Sequence, residues 1–333
     1  MKKGKQTFLF EKGVYLKSGA AIVGEKEGRG PLKNYFDMIL QDDKWGEDSF
    51  EKAERKMFKE ALETAKLKAG LNNDTVDMII GGDLLNQIIS ASFASKDYPM
   101  PFLGVYGACS TICESMLVGA CFIEGGFANN VLCATSSHFS SAERQYRFPL
   151  EYGSQRTPTA QWTVTGAGCS VLSSEEAAIR LCSGTVGTIV DMGIKDANNM
   201  GAAMAPAAAD TLSAFLKETG TQPNDYDLIV TGDLGKLGKE ILIDLMQQKG
   251  YDVSKVIHDC GCMIFYPDQD MAMGGSGCGC AATVFNGAIR QDLEAGKLRN
   301  VVLAATGAML SSTSSFQGES IPGISYALNF RRC

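Results

Sequence analysis

Short apolar runs alternate along this chain with segments whose apolar residues recur at helical spacing. The clearest helix is predicted to begin after a capping Asp48 or Ser49 and to end before Gly70, which suits a left-handed cap. Residues 76–82 (VDMIIGG) then form a continuous apolar run, typical of a strand covered on both faces. This alternation predicts an α/β fold with a parallel or mixed sheet. The apolar positions of the helix are Phe50, Ala53, Met57, Ala61 and Ala65.

An internal repeat divides the chain. Residues 77–84 (DMIIGGDL) reappear as residues 227–234 (DLIVTGDL), 150 positions later. Residues 131–135 (VLCAT) match residues 302–306 (VLAAT), 171 positions later. Two matches in the same order indicate that one α/β unit occurs twice.

Small-residue turns complete each copy of the unit. Residues 107–111 (GACST) precede one predicted helix, and residues 275–279 (GSGCG) precede its counterpart. We therefore predict two pseudo-symmetric halves, residues 1–174 and 175–333, with a cleft where equivalent elements meet.

Composition and charge narrow the possible functions. The chain has 333 residues, of which 45% are hydrophobic, so it can bury a substantial core and is not intrinsically disordered. Its 31 Lys and Arg against 38 Asp and Glu give a net charge of −7. Such a balance argues against nucleic-acid binding, because neutralisation of phosphates supplies most of that affinity.

The cysteines and the apolar stretches bear on the compartment. Eleven cysteines are an odd number, and the first residues do not resemble a secretory signal, so we expect reduced thiols in a cytosolic-type compartment. The longest apolar stretches, residues 116–123 and 301–310, are far shorter than the roughly 20 residues of a membrane span. A role at a membrane would therefore require docking onto another component.

Two closely spaced cysteine pairs do not predict a metal site. Cys260 and Cys262 are separated by one residue, as are Cys278 and Cys280. Structural zinc sites use a wider spacing, and both pairs lie in apolar or glycine-rich sequence. The glycine-rich run at 274–279 also lacks the Gly-Lys-Ser/Thr ending of a phosphate loop. No metal or cofactor is predicted.

Cys109 is the first candidate for chemistry. It follows an apolar run and begins a predicted helix, where the positive end of the helix dipole lowers a thiol pKa and favours the thiolate. The alternative is a small buried cysteine that only packs, like Cys121 or Cys133. Position alone does not choose between the two.

The chain contains two histidines, and both follow predicted strands. His138 comes directly after residues 131–135, and His258 follows a short apolar run in the second half. In α/β sheets, strand ends gather ligand-binding and catalytic groups. A Cys109–His258 pair across the pseudo-symmetric cleft would suit covalent acyl chemistry, with the imidazole activating the thiol.

Two arginines lie among aromatic residues just after His138. Arg144 and Arg147 could form a bidentate clamp for a carboxylate. Ion pairs with Glu143 or Glu151, in a solvated or subunit-contacting loop, are an equally good interpretation.

The duplicated unit with a cysteine at a helix start resembles the thiolase fold, in which two α/β halves form an αβαβα layered arrangement. The GACST segment around Cys109 resembles the acyl-accepting motif of thiolases and ketoacyl synthases, and His258 resembles the first catalytic histidine of the synthases. The third partner, a histidine or asparagine in a glycine-rich turn, is missing at residues 274–278 (GGSGC). Loss of such a donor typically costs ~10²–10³ in rate. The resemblance therefore implies an incomplete catalytic triad.

A more specific resemblance covers nearly the whole chain. The sequence is similar to the stage V sporulation protein AD family of endospore-forming bacteria. The segments that carry this similarity are GKQT (4–7), GGDLLNQ (81–87), GACST (107–111), ATSSH (134–138), AERQ (142–145), MAPAAAD (204–210), NDYDL (224–228), HDCG (258–261), GGSGC (274–278) and ESIP (319–322).

This second resemblance implies a function in binding rather than catalysis. Members of the family bind dipicolinic acid (pyridine-2,6-dicarboxylic acid), free or as its calcium chelate, and help to move it into the developing spore. The implied partners are membrane proteins of the same operon at the inner membrane of the forespore, and a second copy of the chain in a homodimer. The expected ligand-binding residues are Asp83, Cys109, His138, Arg144, Arg147, His258 and Ser276.

The enzymatic alternative stays open at this point. An acyltransferase or condensing enzyme would use Cys109 as the nucleophile and His258 as its base. The missing third partner argues against this alternative without excluding it.

Overall fold

A large mixed β-sheet lies at the centre of the computed structural model, which describes residues 1–146 and 156–333. The strands in these residues are β1 (Thr7–Leu9), β2 (Tyr15–Val23), β3 (Met38–Ile39), β4 (Met78–Asp83), β5 (Phe102–Gly104), β6 (Asn130–Ser137), β7 (Trp162–Thr163), β8 (Gly166–Ser173), β9 (Ile179–Val186), β10 (Leu228–Thr231), β11 (Ile257–Asp259), β12 (Gly275–Ser276), β13 (Asn300–Ala308) and β14 (Gly323–Arg332). The α-helices in the same residues are α1 (Glu25–Gly28), α2 (Phe50–Lys68), α3 (Ile89–Ser95), α4 (Thr111–Glu124), α5 (Phe139–Tyr146), α6 (Met200–Thr219), α7 (Gly235–Gln248), α8 (Cys260–Met263), α9 (Cys278–Val284), α10 (Arg290–Glu294) and α11 (Ser312–Phe316). The predicted α/β class is confirmed.

The strand order of the main sheet is β11-β10-β13-β14-β9-β2-β8-β6-β4-β5. At one end β5, β4 and β6 are parallel neighbours, and at the other β11, β10 and β13 are. Antiparallel pairings follow on each side, through β6–β8–β2 and β13–β14–β9. The same order thus occurs twice, as the sequence repeat indicates. The boundary between residues 174 and 175 stays a prediction.

Helices separate and cover the two sets of strands. α4 contacts β4 and β6 on one side and β13 on the other, and its Ile112 and Met116 are fully buried. α2 packs on β2 and β8, whereas α6 packs on β13 and β14. These contacts give the predicted αβαβα layering. The junction between the two sets is narrow, because β2 and β9 pair only at Tyr15–Arg180 and Leu16–Ile179.

The predicted helix after Ser49 is confirmed as α2. The Ser49 side chain accepts a hydrogen bond from the backbone N–H of Lys52 at 3.3 Å, which satisfies one of the free donors of the first turn. Gly70 follows the helix with a φ of +68°, in the left-handed region that glycine adopts without strain. The buried face of α2 includes Met57, Phe58 and Leu62.

Within residues 1–146 and 156–333, every helix is too short or too polar to cross a membrane.

Candidate functional site

A narrow cavity opens beside Cys109, at the start of the central helix α4. Its volume is about 40 Å³, which holds about three waters. The polar side chains of the described lining are Tyr106, Cys109, Glu143, Tyr146, Thr163 and Ser276, and the rest of that lining is apolar.

A strained turn fixes the position of Cys109. Ala108 has a φ of +50°, which is uncommon for a residue with a side chain. Ser110 donates its hydroxyl hydrogen to the carbonyl oxygen of Gly107 at 2.6 Å, and Thr111 donates to that of Ala108 at 2.6 Å. Gly307 of β13 packs so closely that an added Cβ would lie 1.9 Å from the Gly107 oxygen. This packing fixes the position of the turn, and therefore the position of the Cys109 side chain.

The Cys109 thiol is held in its neutral form. Cys109 is 5% exposed, and burial, followed by the negative charge of Asp233, raises its pKa well above the usual value. The predicted shift was in the opposite direction. The physical reason is that loss of hydration and a neighbouring carboxylate outweigh the dipole at the helix start.

Asp233 is the polar group directly behind the cavity wall. It is fully buried, and its Oδ2 accepts a hydrogen bond from the backbone N–H of Gly277 at 2.8 Å. Its carboxyl also interacts with the Cys109 thiol and the Ser276 hydroxyl, both of which line the cavity. Burial raises the pKa of Asp233 to about 7.

The predicted residue Ser276 is part of the cavity wall. It lies on β12, which pairs in parallel with β7 so that Ser276 is the partner of Thr163. Gln161, just before β7, donates from Nε2 to the carbonyl oxygens of Asp233 and Gly275 at 2.6 and 3.2 Å. These bonds tie the second half of the chain to the segment that completes the cavity.

Asp83 lies behind the cavity and does not line it. Its two carboxylate oxygens accept hydrogen bonds from the backbone N–H groups of Leu85 and Ala91, each at 2.8 Å. The side chain is fully buried, and burial raises its pKa to about 6. We therefore correct its predicted role in ligand contact: its oxygens are already used to organise the backbone after β4.

His138 also has a structural environment, which corrects its predicted role. It is fully buried, and its Nε2 lies 2.7 Å from the carbonyl oxygen of Asp43. Its Nδ1 accepts a hydrogen bond from the backbone N–H of Ser140 at 3.1 Å, which makes Nε2 the protonated nitrogen. Burial lowers the pKa of the imidazole, and the ring packs on Phe50. Both ring nitrogens are therefore occupied by the protein.

His258 is exposed and lies away from the cavity, so the structure does not form the predicted Cys109–His258 pair. The reason is strand alternation, since His258 and its neighbour Asp259 point to opposite faces of β11. The inward side chain is Asp259, whose carboxylate accepts from the hydroxyl of Thr231 at 2.7 Å and from the backbone N–H of Leu234 at 2.8 Å.

The two arginines of the predicted clamp have different outcomes. Arg144 is exposed on α5 and pairs with Glu51, so it does not reach the cavity. Arg147 lies outside the described residues. Glu143, which does line the cavity, forms an ion pair with Arg156 at 3.1 Å. The ion-pair interpretation was therefore nearer the structure for Arg144, although its partner differs.

The described lining of the cavity contains no lysine, arginine or histidine. It offers hydroxyls and a protonated thiol, and the hydroxyls of Tyr106 and Tyr146 lie 3.1 Å apart at its mouth. Among the described residues, no cluster of histidine, cysteine and acidic side chains could hold a metal ion. The arrangement can donate hydrogen bonds to a ligand but lacks an imidazole that could activate Cys109.

Comparison with known proteins identifies the family. The family model for stage V sporulation protein AD (SpoVAD) matches residues 4–331. Stage V sporulation protein AD of Bacillus subtilis (strain 168) is 44% identical over 329 residues, covering 99% of this chain and 97% of that protein. The chain belongs to the stage V sporulation protein AD family.

Solved structures show that the SpoVAD family member has the thiolase fold. OleA of Xanthomonas campestris with bound cerulenin matches with a TM-score of 0.64 at 14% identity, covering 97% of this chain and 99% of that one. 3-Oxoacyl-[acyl-carrier-protein] synthase III of Aquifex aeolicus VF5 matches with a TM-score of 0.58 at 14% identity, over 96% and 100% of the two chains. Human mitochondrial 3-ketoacyl-CoA thiolase with CoA matches with a TM-score of 0.56 at 14% identity, over 98% and 99%. The predicted fold and family are both confirmed.

Sequence reasoning did not assign Tyr106, Glu143, Tyr146 and Thr163 to the lining, and it also missed two residues that support the site. Asp233 belongs to the repeated GDL segment, and the repeat itself could have singled it out together with Asp83. Gln161 carries no such signal, because its role depends on the pairing of β7 with β12.

Proposed function

We propose that this protein binds dipicolinic acid, or its calcium chelate, in the cavity beside Cys109 without catalysing a reaction. The observation that carries the proposal is the state of Cys109: it lies on the cavity wall as a neutral thiol, and no histidine of the described residues reaches it. A thiol without a base is a poor nucleophile but an acceptable part of a binding surface. The choice of dipicolinate as the ligand rests on what the resemblance to this family implies.

The chemistry of the cavity supports a small, flat, rigid ligand. Apolar walls and two tyrosines can cover an aromatic ring, and the hydroxyls of Thr163 and Ser276 can donate to carboxylates. The lack of a cation in the described lining favours a ligand whose charge is already offset, as in a calcium chelate. The rest of the proposal is transfer of this ligand into the forespore, as a homodimer docked on membrane proteins of the same operon at the inner membrane.

Calorimetric titration of the purified protein with dipicolinate, with and without calcium, tests the proposal. We expect saturable binding that Ser276→Ala weakens by roughly tenfold or more, since a hydrogen bond to a charged group contributes about 1.5–3 kcal/mol. His258→Ala is the matched control and should bind like the wild type, because His258 is exposed and is not among the described lining residues. Absence of binding at millimolar ligand would overturn the proposal. If His258→Ala weakened binding and Ser276→Ala did not, the ligand would bind near His258 and not in this cavity.

The second candidate function is acyl transfer on Cys109. What favours it is the position of this cysteine, on a cavity wall at the start of the central helix of a thiolase fold. Mass spectrometry after incubation with acyl-coenzyme A tests it. An acyl group on Cys109, absent from Cys109→Ser, would establish the chemistry, and an unmodified protein would reject it.

A further inference from the structure

One carboxylate oxygen of Asp233 has no fixed hydrogen bond, although the carboxyl lies beside the Cys109 thiol and the Ser276 hydroxyl. Oδ2 accepts from Gly277, but Oδ1 has no hydrogen-bond partner among residues 1–146 and 156–333, although the side chain is fully buried. An unsatisfied buried oxygen costs about 1–3 kcal/mol, and more when it is charged. Such a group in contact with two lining residues of a cavity points to a role in what the cavity binds.

The surroundings of Asp233 disfavour a negative charge. The titratable groups that interact with it are Asp259 on β11, Cys109 before α4, Cys260 on α8, and Cys278 and Cys280 on α9. None of these groups is a cation. The thiols are neutral, and Asp259 adds a second carboxyl. The pKa of about 7 follows from this burial without a counter-charge.

We propose that Asp233 is a positioning residue that, in its protonated form, turns the hydrogen of Ser276 or Cys109 toward the ligand. A neutral carboxyl donates its O–H to one of these two neighbours, whose own hydrogen is then free to point into the cavity and to meet a ligand carboxylate. An ionised Asp233 can only accept, so both neighbours point their hydrogens back at it and present lone pairs to the cavity. This inference rests on the proposed function and specifies how the site recognises a carboxylate.

Ligand binding is coupled to the protonation of Asp233. Above about pH 7 the free protein holds Asp233 largely ionised, and a ligand carboxylate binds together with one proton taken from solvent. Below about pH 6 the proton is already in place. The dipicolinate carboxyls are ionised throughout this range, so the ligand supplies no proton.

Calorimetry of the wild type with sodium dipicolinate in two buffers of different ionisation enthalpy measures this proton directly. For a pKa near 7 we expect uptake of about 0.9 proton at pH 8 and about 0.1 at pH 6, with Kd roughly tenfold higher at pH 8. Binding without proton uptake at pH 8 would overturn the inference and leave the proposed function standing. No binding at any pH, either of sodium dipicolinate or of its calcium chelate, would overturn both.

Asp233→Asn provides the variant test, because asparagine keeps an acceptor for Gly277 and always carries a donor. We expect binding at pH 8 close to the wild-type value at pH 6, less than twofold change in Kd with pH, and no proton uptake. Asp244→Asn, which makes the same change at an exposed aspartate of α7, should keep the wild-type profile. An unchanged pH profile in Asp233→Asn would contradict the inference. The wild-type measurement decides the question even if this variant fails to fold.

Discussion

Asp83 and Asp233 hold equivalent positions in the sequence repeat, but of the two only Asp233 interacts by hydrogen bonds with side chains of the cavity wall. Both oxygens of Asp83 accept backbone N–H groups of the segment that follows β4. After Asp233 the N–H groups of Leu234 and of Gly235, which is the equivalent of Leu85, bond instead to Asp259 at 2.8 and 3.1 Å. Asp259 thus takes over the backbone role, which leaves Asp233 available to Cys109 and Ser276.

The neutral thiol of Cys109 predicts slow alkylation. Iodoacetamide at about pH 8 should modify the exposed Cys121 and Cys333 at least about a hundredfold faster than Cys109, because only the thiolate reacts and burial raises the Cys109 pKa. Mass spectrometry of proteolytic peptides measures the three rates. In denaturant all eleven cysteines should react alike. Fast and selective labelling of Cys109 in the native protein would indicate an activated nucleophile and contradict the prediction.

Buried carboxyls predict that the fold becomes less stable as pH rises. Burial raises the pKa values of Glu27, Glu114 and Asp233 to about 7, so the folded state binds more protons than the unfolded state. Their contribution to the free energy of unfolding is fully present below the pKa values that the same groups have in the unfolded chain. It is lost as pH rises through about 7. As pH rises from about 6.5 to 8, each fully buried group should lower the free energy of unfolding by about 1 kcal/mol.

Denaturant unfolding across this range checks the prediction. His138 and His258 have lowered pKa values and destabilise the fold as pH falls toward and below about 6.5, so they oppose the trend at the lower end of this range. Glu27→Gln should flatten the slope, whereas Asp244→Asn should not. A stability that rises from pH 6.5 to 8 would show that these carboxyls are ionised in the folded protein.

Glu54 is predicted to be a stabilising acid in its protonated form. It is fully buried on α2, and its two oxygens accept from the hydroxyls of Ser136 at 3.1 Å and Ser141 at 2.8 Å. Burial, with the charge of Asp83 second, raises its pKa well above the usual value. Glu54→Ala should lower the free energy of unfolding in urea by about 3 kcal/mol. It leaves the hydroxyls of Ser136 and Ser141 without their acceptor and creates a void. Glu54→Gln should cost less than about 1 kcal/mol. Equal losses in both variants would mean that the native group is charged.

Gly307→Ala should damage the site through the backbone. The added Cβ would collide with the Gly107 oxygen, which must move and take the Cys109 turn with it. We expect at least about 2 kcal/mol of destabilisation and loss of dipicolinate binding. Gly250→Ala is the control, because its φ of +88° also penalises alanine but no atom lies within 4 Å of the new Cβ. Normal binding in Gly307→Ala would show that the turn is not fixed by this contact.

The sequence predicted those parts of the structure that depend on local pattern. Helix α2 followed from a capping serine and helical spacing, and the doubled strand order followed from the repeat. Cys109 and Ser276 were placed in the cavity because each lies in a small-residue turn at the start of a helix. In these cases neighbouring residues determine the position.

The remaining site residues depend on tertiary contacts that the sequence does not reveal. His258 and Asp259 are adjacent, and only the register of β11 decides which one faces inward. Histidine was favoured for its chemistry, whereas the aspartate satisfies three backbone donors. Asp83 and Asp233 have the same local sequence context and differ only because Asp259 is present near the second.

The narrow junction between β2 and β9 has a consequence for how the chain folds during synthesis. The first set of strands closes when β8 pairs with β2, which requires only residues up to 173. The second set closes when β14 inserts between β13 and β9, more than 130 residues after β9 has been made. Loops of this length close slowly, because the chain loses conformational entropy before any stabilising contact between the two strands has formed. The strands of the first half can therefore pair natively while the chain is still on the ribosome. During that time β9 lacks its partner β14, and the unpaired edge of β9 is the segment most in need of protection from aggregation.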